Sequence, residues 1–317
     1  MMKAFTKHKY GGPEILGIED VEKPTVKENH LLINVKANSA NPADWHILRG
    51  KPLFARLTFG LFKPKYQILG ADFAGIVEEA GQGVTKFKVG NRVFGEMLNG
   101  GAFAEYTCAP ETVCGLMPDE ADYNEMACVP IAGLTALQAL IVHGKLKEGE
   151  SVLINGSSGG VGHFAVQIAK AYGAHVTAVC SSRNIDFVKS IGADKTFAYD
   201  KKNIHLHKVA YDLIVDTNGN LNHADYKRMG KRGVMVGFTN MAHMISVLLK
   251  KGFSKFPLTQ FTAEANSEDL NTLSKLIKDG KVKPHIEKIY PYSKIPEAIG
   301  YIESMRTRGK VVMSWDL

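Results

Sequence analysis

Residues 154–173 read INGSSGGVGHFAVQIAKAYG, with four glycines and two serines gathered in the turn 156–162. The preceding run SVLIN (151–155) has the length and apolar content of a buried strand. The following FAVQIAKAYG (164–173) has helical spacing and stops at Gly173. Glycine permits positive φ and lets a ligand approach the backbone closely. The unpaired amides and dipole of a helix start favour a pyrophosphate. Gly156, Ser157, Ser158, Gly159, Gly160, Val161 and Gly162 are therefore expected to hold a dinucleotide. Their spacing is G-x-x-G-x-x-G rather than G-x-G-x-x-G, so the weight rests on the strand-turn-helix context.

Working outward, short apolar runs alternate with helical stretches from about residue 123. The runs are SVLIN, HVTAVC, KTFAY, YDLIVDT, GVMVGF and QFTAEA; GHFAVQIAKAYG, RNIDFVKSIGA and NHADYKRMGK lie between them. This alternation predicts an α/β domain, a doubly wound parallel sheet, over residues 123–265. Residues 1–122 read instead as mostly β: HLLINVKANSA alternates apolar and polar side chains, and FAGIVEEAGQGVTKFKVGNRVFGE breaks at two glycine turns. Residues 266–317 supply two helices and a final strand, too little for a core of their own. They are expected to complete the N-terminal domain.

The strand HVTAVC bears on which dinucleotide is held. A site for NADH usually places an acid about 20 residues beyond the glycine turn, where it binds the ribose 2′-hydroxyl. Here the strand runs into Ser181, Ser182, Arg183 and Asn184, and the first acid is Asp186, in the next helix. Hydroxyls and a guanidinium suit a 2′-phosphate, so NADPH is expected in preference to NADH. The competing reading of Arg183 is a solvated arginine at a helix start.

A chain of 317 residues with 45% hydrophobic and 22% charged residues is long enough for two ordinary globular domains. No apolar run reaches the roughly 18–20 residues that would span a bilayer, and MMKAFTKHKYGGPEIL lacks a secretory core. A cytoplasmic protein is expected. Cys108, Cys114, Cys128 and Cys180 form no C-x-x-C pair and read as reduced thiols. The net charge of +7 comes from dispersed lysines without interleaved aromatics, which argues against nucleic acid as a partner.

The chain resembles the medium-chain dehydrogenase/reductase superfamily, and within it the zinc-independent quinone oxidoreductase and alkenal (enoyl) reductase branch. SANPADWHILRG, LGADFAGIVEEAGQGVTKFKVGNRVFG, GGAFAEY, AGLTALQAL, LINGSSGGVGHFAVQIAK, SIGAD and GKVVMSW carry the likeness nearly end to end. It implies a GroES-like catalytic domain (1–122 and 266–317), a Rossmann NADP(H)-binding domain (123–265), an active site in the cleft between them, and a homodimer. Zinc enzymes of the superfamily take ligands from positions matched here by Asn41, Ala71-Asp72 and Ile131. Asn, Ala and Ile are not zinc ligands, so no metal is expected.

The resemblance further implies an NADPH-dependent oxidoreductase that passes hydride to a quinone or an α,β-unsaturated carbonyl. Such an acceptor delocalises the resulting charge and needs only hydrogen bonds and a proton. Asn41, at the lost zinc position, would donate to a carbonyl oxygen, or else simply form the turn before Pro42. His46 would protonate the product, touch the ribose, or take no part. Asp44 reads as structural, paired with Lys310 of GKVV near the cofactor. Trp45, Tyr66 and Ile131 are expected along the acceptor pocket. Thr135 and Phe238 match positions near the nicotinamide, and Tyr199 one near the adenosine phosphate. His205-Leu206-His207 reads as a polar strand or loop face rather than a metal site. Two alternatives remain: a dedicated alkenal or enone double-bond reductase, and a non-catalytic NADPH-binding structural or sensor protein.

Overall fold

The computed structural model describes residues 1–237 and 241–315, which divide into two compact units. The first comprises residues 1–131, 265–278 and 284–317; the second comprises 132–264 and 279–283. The N-terminal part of the first unit contributes strands β1 (Met2–Thr6), β2 (Gly17–Val21), β3 (His30–Ala40), β4 (Asp72–Ala80), β5 (Arg92–Glu96), β6 (Tyr106–Pro110) and β7 (Cys114–Leu116). The predicted alternation of HLLINVKANSA is realised in β3: Leu31, Ile33 and Val35 enter one core with Phe73, Val77 and Val93. Burying each such side chain contributes roughly 1.5–3 kcal/mol, which fixes the antiparallel register, since a one-residue slip would turn this face to solvent. That register sets Ser39 opposite Asp72, and Asp72 opposite Glu96. Three polar residues on three adjacent strands thus form one row.

The second unit holds β8 (Ser151–Asn155), β9 (His175–Cys180), β10 (Lys195–Ala198), β11 (Tyr211–Asp216), β12 (Gly230–Met235) and β13 (Leu258–Gln260) in one parallel sheet of order β10-β9-β8-β11-β12-β13. Val152, Leu153 and Ile154 are all fully buried. Consecutive residues point to opposite faces, so both faces of the sheet are covered, as a parallel sheet requires. The order reverses at β8, and the crevice beyond its carboxyl end is where such sheets bind ligands. The sixth strand departs from the predicted QFTAEA by starting at Leu258. Gly233 pairs with Leu258, and its amide donates to Pro257 O at 2.9 Å. The buried Leu258 side chain seats the strand here, whereas Phe261 to Ala265 are at least partly exposed. Met241–Gly252 adds a helix that the run pattern did not indicate.

The chain then returns to the first unit with β14 (Ile286–Pro291) and β15 (Lys310–Ser314). β15 pairs antiparallel with β3, Val311 opposite Ala40, and β14 extends the sheet beyond it. Helix Ser267–Lys278 packs on β7, where Ser274 Oγ donates to Leu116 O at 2.7 Å. Lys310 is thereby delivered, 269 residues away in sequence, beside Asn41.

Candidate functional site

In the first unit, β3 ends at Ala40 and helix Pro42–Arg49 begins, with Asn41 as its N-cap. Asn41 is extended, as the residue before a proline prefers. Its amide N–H donates to Asp44 Oδ2 at 2.8 Å, and Asp44 N–H donates back to Asn41 O at 3.0 Å. Asp44 is thus a buried capping carboxylate, at the helix end where the dipole favours negative charge.

The side chain of Asn41 is fully committed inside the protein. Nδ2 donates to Asp72 Oδ2 at 2.8 Å and to Ser39 O at 3.4 Å, and Oδ1 accepts from Lys310 Nζ at 2.5 Å. Lys310 also approaches Ala40 O at 3.5 Å and Asp72 Oδ2 at 3.4 Å. Asp72 further accepts from Ser39 Oγ at 2.7 Å and from the backbone N–H of Ile131 at 3.0 Å. The three positions matched to zinc ligands therefore do converge, the amide of Asn41 and the backbone N–H of Ile131 both donating to the Asp72 carboxylate, which Lys310 also approaches. The carbonyl-donating role of Asn41 and the cofactor role of Lys310 meet these other partners in the structure. Asp44, expected to pair with Lys310, caps the helix and feels Lys310 as a nearby charge.

Two more carboxyls crowd this network. Burial and the charge of Asp72 push Glu96 up to about 8, and its Oε2 is buried without a hydrogen-bond partner among the described residues. Burial likewise pushes Asp44 up to about 7. Each is costly to ionise because the site already holds a carboxylate and only one lysine. Glu96 was missed in the sequence; its signal was an acid closing the apolar run RVFGE. Trp45 packs on the neighbouring core, stacked on His46 with ring centroids 3.6 Å apart. Trp45 Nε1 is buried and unpartnered among the described residues. His46 Nδ1 lies 3.0 Å from Lys51 O, and burial lowers its pKa. Tyr66 is half-buried, with Lys65 Nζ 5.2 Å from its ring centre.

In the second unit, the glycine turn joins β8 to helix Gly160–Ala171 at the switch point. Gly156 has φ +81°, and a Cβ there would lie 2.4 Å from Thr217 Oγ1. A Cβ on Gly162 would lie 2.1 Å from Gly156 O, so the helix start rests directly on the turn. Gly159 caps the helix without any side-chain hydrogen bond, and a Cβ there would meet only Gly156 O, at 3.5 Å. The first-turn amides of a 12-residue helix thus face a cradle that side chains leave open, which fits a pyrophosphate. Ser157 belongs to the scaffold: it is buried, and its Oγ donates to Val179 O at 2.9 Å.

Ser181 to Asn184 leave the end of β9 as expected. Asn184 Nδ2 donates to Ser158 Oγ at 2.9 Å, tying this turn to the glycine turn, and Arg183 is exposed. Ser182 donates from both N and Oγ to the carboxylate of Asp200, at 2.7 and 2.5 Å. Asp200 was missed because it follows β10, not β9. Tyr199, just before it, is exposed, and its N–H donates to Cys180 O at 3.1 Å. Thr135 is buried on helix Pro130–Leu137. Phe238 lies outside the described residues. His205 bonds the helix-capping Asp225 at 2.6 Å and His207 bonds Tyr211 at 2.9 Å, as side chains of a structural loop.

Comparison with known proteins identifies the family. The family model for an alcohol dehydrogenase GroES-like domain matches residues 27–119, and the model for a zinc-binding dehydrogenase matches residues 191–313. The chain is 35% identical to the chloroplast envelope quinone oxidoreductase homolog of Arabidopsis thaliana, over 99% of this chain and 98% of that one. It is 32% identical to the NADPH-dependent alkenal/one oxidoreductase, chloroplastic, of the same plant, over 98% of this chain and 79% of that one. The solved quinone oxidoreductase from Coxiella burnetii superposes with a TM-score of 0.87 at 30% identity, covering 99% of each chain. With its GroES-like and Rossmann units and these end-to-end likenesses, the chain belongs to the medium-chain dehydrogenase/reductase superfamily, in the branch of quinone oxidoreductases and alkenal reductases.

Proposed function

We propose that this chain is a reductase that passes hydride from NADPH to a quinone or an α,β-unsaturated carbonyl, without a catalytic zinc. The observation that carries the zinc-free reading is the ammonium of Lys310, 2.5 Å from Asn41 Oδ1 and 3.4 Å from Asp72 Oδ2. A donor group with a full positive charge stands among the matched zinc positions, and only one of them offers an anionic ligand. That donor set does not fit tetrahedral zinc. The relatives named for quinone and NADPH-dependent alkenal reduction support the acceptor class and the cofactor.

NADPH, when bound, supplies a hydride from its nicotinamide ring. The open cradle at Gly159, before the first-turn amides of helix Gly160–Ala171, would hold its pyrophosphate and orient it. Burial favours the neutral form of His46, whose Nδ1 donates to Lys51 O at 3.0 Å. The Asn41–Asp72–Lys310 network serves as a rigid floor rather than as a donor to the acceptor.

A homodimer is part of this reading, and β13, a terminal strand of the second sheet among the described residues, is where a second copy would pair. No described helix is long and apolar enough to cross a membrane. The four free thiols support a reducing compartment such as the cytoplasm.

The test is NADPH oxidation with a quinone, a short enal and a cyclic enone, alongside alcohol oxidation with NADP+, each with and without a strong zinc chelator. Chelator-insensitive consumption of at least one conjugated acceptor is expected. Chelator-sensitive alcohol oxidation as the only activity would overturn the proposal.

A further inference from the structure

The parallel pairing of β9 and β10 sets Ala198 opposite Cys180. The residues that follow, Ser181-Ser182 and Tyr199-Asp200, therefore leave the sheet side by side. The Asp200 carboxylate accepts from Ser182 N at 2.7 Å and Ser182 Oγ at 2.5 Å. The same turn is pinned to the glycine turn by Asn184, whose Nδ2 reaches Ser158 Oγ at 2.9 Å. A carboxylate thus stands at the carboxyl end of β9, where a site for NADH keeps its acid. It is contributed by the neighbouring strand, and it is solvent-exposed. The two Ser182 hydrogen bonds hold it below the usual carboxylate range, so it is ionised at neutral pH.

A carboxylate accepts a hydrogen bond from a free ribose 2′-hydroxyl and repels a 2′-phosphate. Arg183, exposed on the same turn, has the opposite preference. We propose that Asp200 is a specificity-determining residue that opposes Arg183 at the adenosine ribose, so that the protein accepts NADH as well as NADPH with only a shallow preference for the phosphate. This rests on the dinucleotide reading above. A unit charge near a phosphate at a partly exposed site changes affinity on the order of tenfold.

The experiment is calorimetric titration of the full chain with NADPH, NADH, 2′-AMP and 5′-AMP, for the wild type, Asp200→Asn and Arg183→Ala. The wild type should bind NADPH less than about tenfold more tightly than NADH. Asp200→Asn should tighten NADPH and 2′-AMP about tenfold and leave NADH and 5′-AMP unchanged or weaker. Arg183→Ala should weaken the phosphorylated ligands alone. Should Asp200→Asn not fold, Asp200→Ser, which also removes the charge, serves in its place. An unchanged NADPH-to-NADH ratio in the charge-removing variant would overturn the proposal. Failure of the wild type to bind either dinucleotide would instead overturn the cofactor reading.

Discussion

Replacing Lys310 by Met tests the buried network most directly, because it keeps the aliphatic stem and removes only the charge. Lys310 Nζ lies 3.4 Å from Asp72 Oδ2, and both residues are almost wholly buried. At an effective dielectric of about 20, this separation corresponds to an attraction of about 5 kcal/mol. Desolvation of the ammonium, relieved by the substitution, offsets part of it. Breaking a buried pair by removing one partner costs about 3–5 kcal/mol, because the other charge is left uncompensated. Here the loss is aggravated by Asp44 and Glu96, which already resist ionising beside Asp72. A net destabilisation of about 3 kcal/mol is expected, lowering the melting temperature of the first unit by roughly 6–12 °C.

The chain has two tryptophans, Trp45 and Trp315, and both lie in that unit, so their fluorescence during urea or thermal unfolding reports on it selectively. The double variant Asp72→Asn/Lys310→Met should cost at least about 1 kcal/mol less than the sum of the singles. The destabilisation should also shrink on acidification, when the remaining carboxyls can take up protons. A Lys310→Met variant within about 1 kcal/mol of the wild type, or additive single effects, would show that the ammonium does not hold the network together.

Two further outcomes follow from the same geometry. Glu96 is neutral in the folded state up to about pH 8 but ionises near its ordinary value, about 4.5, when unfolded. The folded state therefore binds more protons between those values, and Glu96's contribution, complete below about pH 4.5, is lost as the pH rises through about 8. Glu96→Gln should flatten the decline in stability from pH 5 to 8, by up to about 4 kcal/mol, in denaturant titrations across that range; an unchanged slope would refute the assignment. Gly162→Ala puts a Cβ 2.1 Å from Gly156 O and should weaken NADPH binding at least about tenfold while leaving tryptophan-detected unfolding of the first unit unchanged; wild-type affinity would show that the turn is not the pyrophosphate cradle.

The parts of this protein legible in its sequence are those whose physics is local. The glycine turn was readable because strand, turn and helix are consecutive, and a Gly162 that must rest on Gly156 O is a short-range constraint. Five of the six parallel strands were readable as short apolar runs; the sixth began two residues early because Leu258, not the QFTAEA run itself, fills the core. The site network joins residues 41, 72 and 310, and its partners were anticipated only where the family pattern supplied the match. What no pattern supplied was register. Glu96 meets Asp72, and Asp200 meets Ser182, only because one antiparallel and one parallel pairing align them. A reading of the cofactor site that followed the chain beyond β9 found serines and an arginine and inferred a place for a phosphate. The fold supplies a carboxylate to the same place from the adjacent strand. In a parallel sheet the ligand faces the carboxyl ends of several strands at once, so the charge it meets is set by neighbours across the sheet. On the proposal above, the charge at the adenosine ribose is set by paired strand ends, Asp200 after β10 as well as Arg183 after β9.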